Sequence, residues 1–332
     1  MEVIIRIFKS NIYKIPPNHG KTFLEGSQAQ RKDRPSSQFE MGALLRADRR
    51  RGGLFRRICW YSSNHLDSSY MNDLWSFNTI TMEWTEIVTT GDIPSHRSNC
   101  TMHYDKDNDR LIMFGGGGAN KQRFNTINIL NWKSKEWIEI SPKTNETSPW
   151  ARTYHTAELF YPNLVVFGGE GISDLDDLWV FNFLSMSWTE VPIPAGSVRP
   201  CARRFHSSAK VGNEFYVIAG CHSKYRCLSD IYSIDLTNLI ENGSVENLQW
   251  KERKMRDNTF LTRWGHTSAV FDGRIYVFGG RFCNDLNDIL ILDPERDQIT
   301  TAKIAGEVPK ARRRHSACFL GSSMLIFGGF NG

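Results

Sequence analysis

Apolar runs of four or five residues that stop at glycine recur along the chain: "LIMFGG" from 111, "LVVFGG" from 164, "FYVIAG" from 215, "IYVFGG" from 275 and "MLIFGG" from 324. A run this short and this uniformly apolar reads as a strand buried on both faces. After each glycine come polar or small residues, then an alternating stretch such as "DLWVF" at 177, which reads as a half-buried strand. A Trp follows at 84, 137, 188 and 250, and the last such unit has Ile299 in its place. Ahead of the apolar runs sits another signal: "RTYH" at 152, "RRFH" at 203, "RWGH" at 263 and "RRRH" at 312, with "RSNC" at 97 keeping the Arg and replacing His by Cys100. The glycines at 115, 168, 220, 279 and 328 lie 53, 52, 59 and 49 residues apart. Each period therefore predicts four short strands joined by Gly and Asp/Asn turns.

One small sheet cannot bury its own faces, so a repeat of about 50 residues implies sheets stacked on each other. The order R-x-x-H, apolar run, Gly-Gly, [ND]-D-apolar-[WY], then Trp resembles the kelch repeat, over roughly residues 46–332. The resemblance implies an all-β, kelch-type β-propeller of six blades, each of four antiparallel strands. Buried second strands are then expected at 58–61, 111–114, 164–167, 215–218, 275–278 and 324–327, with Trp84, Trp137, Trp188 and Trp250 in equivalent fourth strands. In kelch domains a large aromatic packs near the glycine turn, which makes Trp188 the expected neighbour of Gly168 and Gly169.

The pattern weakens at both ends. From Arg46 the first unit reads "RADRRRGGLFRRICWYSS", so its first strand is rich in Arg and Gly and serines replace the glycine pair. Either the first blade is degenerate or residues 1–57 are not the natural partner of the repeats after them. The sixth unit stops at "GGFNG", two strands short of a blade, so the last blade is expected to be incomplete. Residues 1–45 read as a basic segment without a core of its own, disordered over 9–45. Within it "VIIRIF" at 3–8 is apolar enough to pair as a strand with the unfinished last blade.

Charge sharpens this division. Residues 1–57 hold 13 Lys and Arg against 5 Asp and Glu, a net of +8, which leaves −3 of the overall +5 for the rest. The repeats thus lack the excess of positive charge that nucleic-acid binding draws on. No apolar stretch is long enough to span a membrane. Seven scattered cysteines and no secretion signal suggest a reducing, cytoplasmic or nuclear setting.

No catalytic, metal or cofactor constellation emerges. His155, His206, His266 and His315 occupy one slot of successive repeats, which the repeat itself explains. "DKDND" at 105 lacks the Gly and final Glu of a calcium loop, and "GGGGAN" at 115 lacks the Lys-Ser/Thr of a phosphate loop. The expectation is a protein that is not an enzyme. The resemblance implies a binding face near the central channel, formed by the Arg heading each R-x-x-H and the loops after the glycines. Carried over by position, these are Arg97, Arg152, Arg203, Arg263 and Arg312, with Lys121, Arg123, Lys224, Tyr225, Arg226 and Arg281 in the loops. Arg forks suit carboxylates, so the expected partner is a peptide or acidic segment of another protein, including its C-terminal carboxylate. Glu170, Asp174, Asp176 and Asp177 would form one acidic sector. The alternatives are a ubiquitin-ligase substrate receptor, with its recruiting segment elsewhere, and an enzyme of the oxidase or specifier type.

Overall fold

The computed structural model describes residues 4–7, 44–46, 56–58, 72–78, 83–142, 146–223, 226–256, 262–303 and 308–331. Blades 3, 4 and 5 are four-stranded antiparallel sheets whose strands neighbour one another in chain order. Blade 3, for example, runs Thr156–Phe160, Asn163–Glu170, Asp174–Asn182 and Ser187–Glu190. Blade 2 has the same four strands and gains a fifth, Thr90–Gly91, parallel to its outer strand Glu136–Ile140. The innermost strands lie side by side around a channel. Leu44–Arg46 closes that ring between Ser316–Leu320 of blade 6 and Thr101–Asp105 of blade 2.

The uniformly apolar second strands follow from the pleat, which sends alternate side chains to opposite faces of each sheet. Ile112 and Phe114 pack with Leu164 and Val166 of blade 3, while Val165 and Phe167 face Phe215 and Val217 of blade 4. Tyr216 and Ile218 then meet Ile275 and Val277, and Tyr276 and Phe278 meet Met324 and Ile326. The cores therefore lie between blades, and a second strand must be apolar on both faces. Residues 111–114, 164–167, 215–218, 275–278 and 324–326 are all buried.

Trp137, Trp188 and Trp250 begin or occupy fourth strands as expected, Trp84 lies in the strand Glu83–Glu86, and Ile299 lies in Gln298–Thr301. Their packing departs from expectation. Trp188 stands 5.0 Å from Phe114 in the preceding blade, and it is Trp250 that reaches Phe167, the residue before Gly168, at 5.2 Å. The aromatic beside a glycine turn thus comes from the next blade along, because fourth-strand side chains also point across the blade interface. At the pair itself, Gly168 and Gly169 take φ of 60° and 96°. A Cβ on Gly169 would lie 2.7 Å from both His155 Cβ and Thr153 O. Gly169→Ala is therefore expected to cost more than about 1 kcal/mol, read as a lower Tm. An unchanged Tm would show that the turn relaxes freely.

The two ends are handled differently. Ile4–Ile7 adds to Ser323–Phe327, completing a three-stranded sheet, in parallel where every complete blade is antiparallel at that place. In blade 1, Leu44–Arg46 pairs with Arg56–Ile58, with Leu44 opposite Ile58, and Trp75–Asn78 pairs with Glu83–Glu86. The inner strand therefore begins at 44, ahead of the boundary at 46 that the ungapped repeat suggested. Ile58 is a strand residue, while 59–61 and 9–43 lie outside the described residues. The insertion after the third strand of blade 4 forms the helix Thr237–Asn242. Leu236, Leu239 and Leu248 seal it onto the core shared with blade 3.

Candidate functional site

The arginines that head the repeats are not on a surface. Arg97, Arg152, Arg203 and Arg263 are at most 1% exposed. Arg152 donates from both terminal nitrogens to Asp177 at 2.7 Å, and Arg203 does the same to Asp230 at 2.7 and 2.8 Å. Arg263 grips Asp288 at 3.0 and 2.8 Å. Each also donates to the carbonyl of the first residue of its glycine turn: Gly168, Ala219 and Gly279, at 3.0 Å. Arg312 makes that bond to Gly328 at 2.8 Å. Arg97, Arg152, Arg203 and Arg263, expected to bind a partner, instead tie the strand-head loop to the second and third strands of their own blade, and Arg312 ties it to the turn after the second strand. The carboxylate comes from the [ND]-D motif of the same unit, so Asp177 is an internal counter-ion and leaves the expected acidic sector.

Arg97 is the variant case. Thr126 stands where blades 3, 4 and 5 have Asp; the guanidinium donates to its hydroxyl and to Asn128 Oδ1, both at 3.4 Å, and Asn128 Nδ2 donates in turn to Glu139. Phe124 covers the cation at 3.8 Å. Burial without a paired carboxylate lowers the Arg97 pKa. In blade 1, Asp73 accepts from Trp75 as Asp177 does from Trp179, yet its Oδ1 is buried without a hydrogen-bond partner.

The histidine slot is also structural. His155, His206 and His315 meet the hydroxyls of Thr101, Thr156 and Thr267 in the preceding blade at 3.2, 2.9 and 2.8 Å. His266 breaks the series, because Ser207 turns to Ser268 instead. Burial pushes all four rings well down, with the neighbouring Arg of each blade adding to the effect; His155 and His315 fall to about 3. Among the described residues no three His, Cys, Asp or Glu side chains form a metal-sized group.

What the channel mouth presents is the residue between Arg and His. Asn99, Tyr154, Phe205, Gly265 and Arg314 all have positive φ. This left-handed turn lifts them over the histidines, and they rim a cavity of about 150 Å³. Backbone bonds link them around the mouth, from Phe205 N to Tyr154 O, Gly265 N to Phe205 O and Arg314 N to Gly265 O. The Arg314 guanidinium lies 4.5 Å from the Phe205 ring and 5.6 Å from both Tyr154 and Trp264. Sequence reading missed these positions because only the flanking Arg and His repeat; the slot between them varies.

Around this rim stand two Arg–acid–Arg clusters. Glu170 of blade 3 is held between Arg123 of blade 2 and Arg204 of blade 4, and Arg204 also meets Asp174 at 3.5 Å. Asp285 is held between Arg281 at 3.5 Å and Arg313 of the last blade at 2.5 Å. Asp176 pairs with Arg199 at 3.3 Å. The acidic sector is therefore largely neutralised in place: Arg123 and Arg204 meet Glu170 and Asp174, while Arg281 and Arg313 share Asp285. Lys121 is exposed on a short 3-10 turn and Arg226 is exposed at the start of its strand; Lys224 and Tyr225 lie outside the described residues. Ile172 and Phe282, in the loops after the glycines, are 92% and 44% exposed.

A family profile described as the KLHDC2/KLHL20/DRC7 Kelch-repeats domain matches residues 58–242 and 242–332. Similar proteins include a putative adagio-like protein 2 of Oryza sativa subsp. japonica, 30% identical over 74% of this chain and 40% of its own length. Kelch domain-containing protein 3 of Rattus norvegicus is 24% identical over 77% of this chain and 69% of its own length. Host cell factor 2 of Homo sapiens is 27% identical over 66% of this chain and 29% of its own. The chain thus spans less than half the length of the rice and human relatives.

Proposed function

Because the chain belongs to the kelch-repeat family, a protein-interaction propeller, we propose that its channel mouth binds an extended acidic segment of a partner protein. The observation that carries this reading is the concentration at one mouth of Arg123, Arg204, Arg281, Arg313 and Arg314 beside the aromatic arc Tyr154, Phe205 and Trp264. A carboxylate entering there meets planar Arg forks already oriented by Glu170 and Asp285. Aromatic faces give the peptide backbone a firm floor, while exposed Ile172 and Phe282 offer apolar contacts at the periphery. A rigid propeller spends little ordering entropy in presenting these loops. The heading arginines are left out of this site, since their donors are used inside the blades.

The test is fluorescence anisotropy with labelled Glu-rich peptides, one ending in a free carboxylate and one amidated. Arg204→Ala, Arg313→Ala and Arg314→Ala are each expected to weaken binding by about 10-fold to 100-fold, the equivalent of one charge-assisted bond of roughly 1.5–3 kcal/mol. Binding should also fall steeply with salt. A free carboxylate preferred over the amide places the partner's C-terminus in the mouth; equal binding places an internal acidic stretch there. Affinity unchanged in all three variants, with normal Tm, would overturn the reading.

A further inference from the structure

The register of blade 4 sets two cysteines face to face. Cys221, the residue after the glycine turn, pairs across the ladder with Cys227, and the flanking pairs are Gly220 with Leu228 and His222 with Arg226. Both backbone groups of Cys221 are spent on the other side: its N–H donates to Arg204 O at 2.9 Å, and its carbonyl accepts from Arg204 N at 3.0 Å. Cys221 and Cys227 are therefore a non-hydrogen-bonded antiparallel pair. In such pairs the Cα atoms approach to about 4.5 Å with side chains on the same face. A disulfide needs Cα atoms roughly 4.4–6.8 Å apart, so the backbone requires no rearrangement to accept one. Both thiols are free and half-buried.

We propose that Cys221 and Cys227 form a reversible cross-strand disulfide, a modification site that closes the 222–226 loop at the channel mouth. The oxidant is a small disulfide of the glutathione type. The Cys227 thiolate attacks one sulfur of the oxidant, and the first glutathione thiol leaves. The Cys221 thiol gives up its proton and attacks the Cys227 sulfur of the mixed disulfide, releasing the second glutathione. Two protein thiols are oxidised, one small disulfide is reduced to two thiols, and the protein loses two hydrogens. Burial pushes Cys221 up to about 11, and a contact from Arg204 offsets this in part, so exchange is slow unless the loop opens. A bridge enclosing so short a loop gains little chain entropy, which keeps it reducible.

Cys283 is the competing thiol. It is exposed at the tip between Arg281–Phe282 and Asn284–Asp285; burial raises the pKa of Cys227, and Cys283 is close enough for its charge to add to that shift. The intact protein would be incubated with oxidised glutathione, blocked with iodoacetamide and digested with trypsin, which cuts after Lys224 and Arg226. A bridge then shows as peptides 211–224 and 227–251 joined, and reduction separates them. Cys283→Ser should keep this linkage. Cys227→Ser should abolish it and leave a glutathione adduct on Cys221 or none. Alkylation of both Cys221 and Cys227 after excess oxidant, or a dominant linkage of Cys227 to Cys283, would overturn the proposal. Because the readout is the bond itself, its failure is separate from that of the acidic-partner reading.

Discussion

Arg203→Ala is expected to destabilise the propeller by about 3–5 kcal/mol, the cost of removing one partner of a buried ion pair. The substitution strands Asp230, whose side chain is only 25% exposed, and frees the carbonyls of Ala219 and Cys201 that the guanidinium holds. At roughly 1–2 °C for each kcal/mol in a chain of this length, Tm should drop by roughly 3–10 °C. Arg203→Lys should recover little, since an ammonium cannot reach both carboxylate oxygens and the two carbonyls from one point. Arg152→Ala and Arg263→Ala should behave alike, as they have the same fork and the same turn carbonyl. Arg312→Ala should cost less, because that side chain is only half-buried. Thermal denaturation followed by circular dichroism decides the matter. Unchanged melting with lost partner binding would return these arginines to the recognition face.

The second large effect is loss of stability in mild acid. His155, His206, His266 and His315 are 4–5% exposed, and each is held neutral well below its ordinary pKa. The unfolded state protonates these rings below about pH 6.5, whereas in the folded state His155 and His315 refuse the proton down to about pH 3 and buried His206 and His266 stay neutral well below 6.5. Stability is therefore fully present above the unfolded pKa and is lost as pH falls through this window. Each ring contributes a slope of about 1.4 kcal/mol per pH unit, so the four together are steep. Glu158 acts in the opposite sense. Burial in the channel raises it to about 7, against Ser208 and Lys210, which favour the anion. Its folded state keeps a proton that the unfolded state sheds above about pH 4.5, so acidification relieves that cost. Burial raises Glu190 as well and lowers His103 to about 4, so the balance is five imidazoles against two carboxyls, a net loss. Tm measured from pH 7 to pH 5 should fall sharply, and His206→Gln should make the fall shallower. A flat profile over that range would show that the folded rings do take up protons.

Much of this architecture is local and therefore legible in the sequence. A strand between two blades must be apolar on both faces, and the runs at 111, 164, 215, 275 and 324 say so directly. A turn with two successive positive φ values at a crowded exit needs glycine, and Gly168 and Gly169 supply it. The recurring Arg, His and Trp were visible too, with their spacing. What the residues did not carry was which way these side chains turn. Arg152 and Arg204 are both arginines beside a strand head; one is fully buried on Asp177 and the other is at the rim on Glu170. The difference arises when blade closure brings the aspartate of the third strand, 25–27 residues further along, under the first arginine of the motif in blades 3, 4 and 5. Likewise Trp188 and Trp250 chose the blade next door, and Tyr154, Phe205, Trp264 and Arg314 met only because their blades stand side by side. Periodicity determined the strands and turns, since those depend on neighbours a few residues away. The binding mouth was decided by the tertiary structure, because its residues come from separate repeats and share a surface only once the blades are packed around a common channel.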